Sequence, residues 1–215
     1  MTLLEPVRMG ASSVGGAVLA TATRTMAAVR TAPKPLHPRG VVVTGRLFRT
    51  GLAESTGSPW LDEPGEDDVV VRISRAIGLP TSLPDIHGLA LRVPLDAGHG
   101  DLLFAQTGWG RLSRFVLTAG KDVCDRPMTT LLPYRTDSGP LLLGARCTGV
   151  ETFEIACAPA GGDWRHVADL RVSSAPAADQ DVDFDAVRHR VPGLEQYPSV
   201  VRLREPSYSW ARASR

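Results

Sequence analysis

Lysine occurs only twice in the 215 residues, at Lys34 and Lys121, and the other basic residues are all arginine. The 24 basic residues face 23 Asp and Glu, which leaves a net charge of +1. That field is too small for phosphate-backbone binding to be the main task. With 43% hydrophobic and 22% charged residues, the composition is that of a folded domain and not of a disordered one. Cysteine is scarce as well. Cys124, Cys147 and Cys157 form no Cys-x-x-Cys pair and leave an odd thiol, so neither a disulfide framework nor a structural zinc site is expected. A reducing, cytoplasmic setting follows from that reading. Long apolar runs are missing too: Arg8, Arg24 and Arg30 interrupt the N-terminal stretch well short of the roughly 20 residues that a spanning helix needs. The sequence contains no Gly-x-Ser-x-Gly elbow, Walker loop, His-Glu-x-x-His pair or dinucleotide-binding glycine fingerprint.

What is present reads as mainly β, in a single domain over residues 1–215. Residues 12–30 have the Ala and Leu content of a helix within an N-terminal arm, 1–34. Within the arm, "ASSVGGAVLATA" has some character of a signal-peptide core, but Glu5 precedes it and the arginine-spaced pattern continues past it. Three prolines in "TAPKPLHPRG" then end the helix. Over 35–175 come β-rich runs bounded by Gly, Pro or Asp: "GVVVTGRLFR", "DDVVVRIS", "GLALRVPL", "DLLFAQTG", "RFVLTA", "GPLLLGARC", "ETFEIACAPA" and "WRHVADLRVS". About eight closely spaced strands predict an antiparallel barrel or sandwich. Residues 176–215 read as short C-terminal helices. "DFDAVRHRV" carries an N-cap aspartate, and "RLREPSYSWAR" places Arg204 and Tyr208 on one helical face at i, i+4 spacing.

A set of scattered residues acquires meaning when taken in order. In "LHPRGVVVTGRLF", His37 precedes Arg39, Gly40, Gly45 and Phe48. In "VVVRISRAIGLPTSLPDIHGLALRV", Arg72 and Ser74 lead through a loop to Asp85 and Gly88. "GHGDLLFAQTG" carries Asp-Leu ahead of Ala105 and Gln106, and Arg204-x-x-x-Tyr208 closes the series. These four blocks resemble those of the haem catalases, over about residues 35–120 and 200–212, in a shortened, barrel-only form less than half the usual catalase length.

The resemblance implies a catalase-like antiparallel eight-stranded barrel with an N-terminal helix and a short C-terminal proximal helix. It implies haem b as cofactor, with Tyr208 as axial phenolate ligand to the iron and Arg204 lowering the phenol pKa from about 10. His37 would be the distal acid/base, Ser74 would orient its ring, and Arg72 would pair with a propionate. The paired asparagines of the family fall on Ala105 and Gln106. The implied activity is therefore peroxidase-like or hydroperoxide-rearranging on hydrogen peroxide or an organic hydroperoxide, with weak disproportionation at most. A non-catalytic barrel that has lost haem and binds a small molecule is the alternative. No nucleic acid or membrane partner is expected, and a homodimer is compatible with an exposed N-terminal helix. Spacing alone leaves other readings open: Arg72 and Ser74 simply alternate with Val71 and Ile73 along a strand, and Arg204 and Tyr208 also suit a surface pair.

Other candidates read as structural. His87 and His99 fall in apparent turns, lack a second histidine at metal-ligand spacing and are expected to be exposed. Asp181, Asp183 and Asp185 lack the glycine and glutamate of a calcium loop, which leaves a solvated N-cap region. Trp60, Trp109, Trp164 and Trp210 are expected to pack the barrel ends.

Overall fold

The computed structural model describes residues 39–80 and 82–202. The helix expected over 12–30, His37, Arg204, Tyr208 and Trp210 lie outside the described residues. Ten strands follow one another: β1 (Arg39–Thr50), β2 (Pro64–Arg75), β3 (His87–Leu95), β4 (Gly98–Gln106), β5 (Met128–Thr129), β6 (Tyr134–Thr136), β7 (Gly139–Gly149), β8 (Thr152–Pro159), β9 (Arg165–Pro176) and β10 (Glu195–Gln196). A single helical turn, α1 (Pro59–Asp62), interrupts the β1–β2 connection. Every pairing is antiparallel. The order β1-β2-β3-β4-β5-β7-β8-β9 returns to β1, which closes an eight-stranded barrel; β6 pairs with β7 and carries β10 on its other side.

The strands form where apolar side chains alternate. Val43 and Leu47 of β1, Val69 and Val71 of β2, Leu89 and Leu91 of β3, and Leu102 and Phe104 of β4 all point inward and are buried. Their neighbours Thr44, Arg46 and Asp68 point outward and are exposed. Each fully buried Leu or Val is worth about 1.5–3 kcal/mol, so the lumen is the main source of stability. β3 departs from the alternation: from His87 through Leu91 it is buried on both faces, so its outer side is covered as well.

The segment after β9 straps the barrel. Val191 and Leu194 join the lumen cluster, and a Cβ on Gly100 would come within 2.5 Å of the Val191 methyl, so this segment plugs the barrel at the β3–β4 hairpin. Gly193 (φ +77°) lies against the Gly57 carbonyl, where any side chain would collide.

Four expectations need correction. "RFVLTA" is not a strand: Arg114 is buried within a 3₁₀ turn (Ser113–Phe115), its guanidinium 4.5 Å from the Trp164 ring and its Nε donating to the Gly110 carbonyl at 3.1 Å. The eighth barrel strand is instead β5, whose two residues are too few to show periodicity. "DFDAVRHRV" forms one turn and no helix. Asp185 accepts from the backbone N–H of Val187 and Arg188, but the His189 carbonyl is taken by the Asp101 N–H at 2.9 Å and cannot continue a helical ladder. Asp185 itself is 4% exposed, so this stretch is not a solvated cap. Finally, Cys124 and Cys147 are disulfide-bonded across 23 positions, a pairing with no local spacing signal, and only Cys157 is free, buried in the lumen. That bond removes the ground on which the cysteine pattern pointed to a reducing compartment. No helix of the described residues is long and apolar enough to cross a membrane.

Candidate functional site

Antiparallel register assembles one end of the barrel from distant parts of the sequence. Gly40 pairs with Ser74, Ser74 with Gly88, Gly88 with Ala105, Ala105 with Thr129, and Thr129 with Gly144. Directly paired residues point to the same face, and this row lies on the outer wall because the alternate residues fill the lumen. Almost no side-chain volume stands on it. Arg72, two positions before Ser74 and on the same face, extends toward the row. A Cβ on Gly40 would lie 3.0 Å from Arg72 Nη2 and 3.1 Å from its Cζ, so the guanidinium rests on the glycine backbone. Ser74 is 6% exposed and Ala90, across from Arg72, is 8% exposed. The structure therefore places Arg72 and Ser74 together, beside a floor of small residues, Gly40, Gly88 and Ala105.

Asp85 and Gln106 support this end from behind. The Asp85 carboxylate is fully buried and accepts four backbone N–H groups, from Ile77 (3.0 Å), Gly78 (2.8 Å), Leu79 (3.1 Å) and Ile86 (2.7 Å). Burial alone raises its pKa, but these four donors outweigh burial and hold it below the usual carboxylate range. Its role is to fold the β2–β3 connection, which meets the β4–β5 connection through a bridge between Asp85 and Gly120. Gln106 points into the barrel, opposite in sense to Ala105. Its Nε2 donates to the Asp122 carbonyl at 2.7 Å, and its Oε1 accepts from the His87 N–H and from the ring Nδ1, both at 3.1 Å. His87 is thus a buried strand residue and not an exposed turn histidine.

His99 also departs from expectation. Its ring lies 4.2 Å, centroid to centroid, from that of His189, ninety residues away in sequence, and Asp101 lies beside both. No spacing pattern predicts this pairing, since only the strap brings His189 to β4. Trp109 and Trp164 do pack the barrel wall: they stack 4.1 Å apart over Gly144, where a Cβ would meet them at 2.7–2.9 Å.

No protein-family model and no curated protein matches the sequence. Solved structures do match in fold. A bacterial catalase aligns over 98% of this chain at TM-score 0.57 and 13% identity, a fungal catalase over 99% at 0.60 and 12%, and catalase A from Saccharomyces cerevisiae over 99% at 0.62 and 12%. The barrel is therefore catalase-like. The chain spans 62–66% of the length of those catalases, just under two thirds, where less than half was expected.

Proposed function

We propose that this chain is a b-type haem protein that acts on hydrogen peroxide or an organic hydroperoxide, in a peroxidase-like or hydroperoxide-rearranging manner. The observation that carries the reading is the pairing of Arg72 with the floor of Gly40, Ser74, Gly88 and Ala105 on a catalase-like barrel. A planar group with carboxylate arms fits such a surface: glycines allow close approach of the ring plane, and a guanidinium held at one end forms paired hydrogen bonds with a carboxylate. Bound there, haem would supply the redox chemistry that cleaves a peroxide O–O bond.

The chain's own residues would do the rest. His37 stands three positions before Gly40 in the sequence and lies outside the described residues. In this reading it moves a proton between the two peroxide oxygens, with the Ser74 hydroxyl orienting its ring. After β10 the chain is helical at residues 198–202; in this reading Arg204 and Tyr208, outside the described residues, would be a guanidinium–phenolate pair, with Tyr208 as iron ligand.

Ala105 occupies the outer-face position where a distal amide would stand, and the Gln106 amide is turned inward and committed to His87 and Asp122. No amide from this strand reaches the outer floor. Weak disproportionation is the consequence, which favours peroxidase-like or rearranging chemistry over catalase turnover.

The test is hydroperoxide consumption by hemin-loaded protein in the presence of a reducing co-substrate, beside His37→Ala and Ala105→Asn. The expected result is loss of peroxide reactivity with retained haem in His37→Ala, and increased oxygen evolution in Ala105→Asn. If hemin-loaded wild type consumes neither hydrogen peroxide nor an organic hydroperoxide faster than free hemin, the enzymatic reading fails.

A further inference from the structure

At the end of β4 remote from Ala105, His99, Asp101 and His189 each offer a ligand atom, all within 4.8 Å of one another. Asp101 is the pivot. Its Oδ1 accepts from Arg92 Nε at 2.8 Å, and its Oδ2 accepts from Arg92 Nη2 at 2.9 Å, from the Asp185 N–H at 2.8 Å and from His189 Nδ1 at 2.9 Å. A carboxylate gripped by a guanidinium only accepts, so the proton between it and the imidazole sits on His189 Nδ1. His189 Nε2 is then left as a lone-pair donor. In the neighbouring ring, His99 Nε2 is buried and has no hydrogen-bond partner among the described residues, a rare condition for a ring nitrogen in a folded protein.

We infer that His99 and His189 form a binding site for a divalent d-block cation of the zinc class, with Asp101 acting behind His189. An imidazole whose other nitrogen donates to a carboxylate is the usual arrangement of a metal-bound histidine, because the carboxylate fixes the tautomer and raises the basicity of the ligating nitrogen. Two imidazoles select zinc, copper(II) or nickel over calcium or magnesium, which require several oxygen ligands; the one carboxylate present is already occupied by four donors. With metal–nitrogen bonds of about 2.0–2.1 Å, two ligating nitrogens stand at most about 4.2 Å apart, and the two rings, whose centroids lie 4.2 Å apart, are close enough to turn their free nitrogens toward one ion. His189 is partly exposed, which leaves an approach for the ion and for water at the remaining positions. Because His99 belongs to β4 and His189 to the strap, the bound ion would join the two. The site is remote from the Arg72–Ser74 row and does not depend on haem.

Zinc titration of the full chain after chelator treatment tests the inference, read by calorimetry and by hydrogen exchange. One zinc ion per chain is expected, with affinity falling at least about tenfold in His99→Gln and in His189→Gln and unchanged in His166→Gln. On the wild-type protein alone, zinc should slow exchange over residues 183–191 and leave residues 165–169 as they were. That readout holds even if a histidine variant fails to fold. Absence of zinc uptake, uptake that survives in both variants, or uptake without protection of 183–191 would overturn the inference.

Discussion

The Arg72 guanidinium lies on the backbone of Gly40, close enough that a Cβ on the glycine would stand 3.0 Å from Nη2. The same Cβ would lie 3.0 Å from the Ile73 carbonyl, which cannot move without disturbing β2. Gly40→Ala should therefore displace the guanidinium from the floor. We expect hemin affinity to fall about tenfold, equivalent to about 1.4 kcal/mol, beyond whatever the contact with the Ile73 carbonyl costs in unfolding stability. Hemin titration against equilibrium unfolding of the same variant separates the two effects.

Asp85 should be among the most costly carboxylates to remove. Asp85→Ala leaves four partly buried backbone N–H groups without their acceptor and unpins both connections at the site end of the barrel. A loss of about 3–5 kcal/mol is expected in urea unfolding. A variant within 1 kcal/mol of wild type would mean that the β2–β3 connection is held by something else.

Acid should unfold the protein for the same reason. Asp85 and Asp101 both have folded pKa values below the carboxylate reference: in each, burial alone would raise the value but is outweighed, by backbone donors at Asp85 and by Arg92, the Asp185 N–H and His189 at Asp101. A depressed folded pKa gives stability that is complete above the unfolded value, about 3.9, and is lost as pH falls through the folded value. Stability measured by chemical denaturation should therefore be flat from these groups above about pH 5 and decline steeply below about pH 4. In Asp85→Ala the decline should be shallower.

Reduction of the Cys124–Cys147 bond should cost about 2–4 kcal/mol, since it frees the connection that carries Asp122, the carbonyl acceptor of Gln106. Thiol labelling by mass before and after mild reduction checks the pairing directly. Two labels should appear on Cys124 and Cys147, while buried Cys157, whose thiol pKa is raised by burial, reacts only after unfolding.

Most of the barrel could be read from the sequence because its strands alternate. Val43, Leu47, Val69, Val71, Leu89 and Leu91 announce lumen positions by period-2 spacing, and seven of the eight predicted runs fall on barrel strands. The failures have specific causes. "RFVLTA" looks like a strand, but Arg114 is drawn to the face of partly buried Trp164 and to the Gly110 carbonyl. Met128 and Thr129 are too short a pair to carry any period. The Arg72–Ser74 relationship was visible, since two residues at i, i+2 on a strand must share a face, but the floor they join was not. It is set by register across five strands, and sequence does not show register. The histidine pair was invisible for the same reason, because His189 reaches His99 only through the strap.

The central claim is tested most directly by an absorption spectrum of the protein expressed with ample haem, recorded beside Tyr208→Phe. The account predicts a Soret band with the charge-transfer features of a ferric phenolate in the wild type, altered or abolished in the variant. A colourless protein that takes up no added hemin would contradict it and leave a catalase-like barrel that binds some other small molecule.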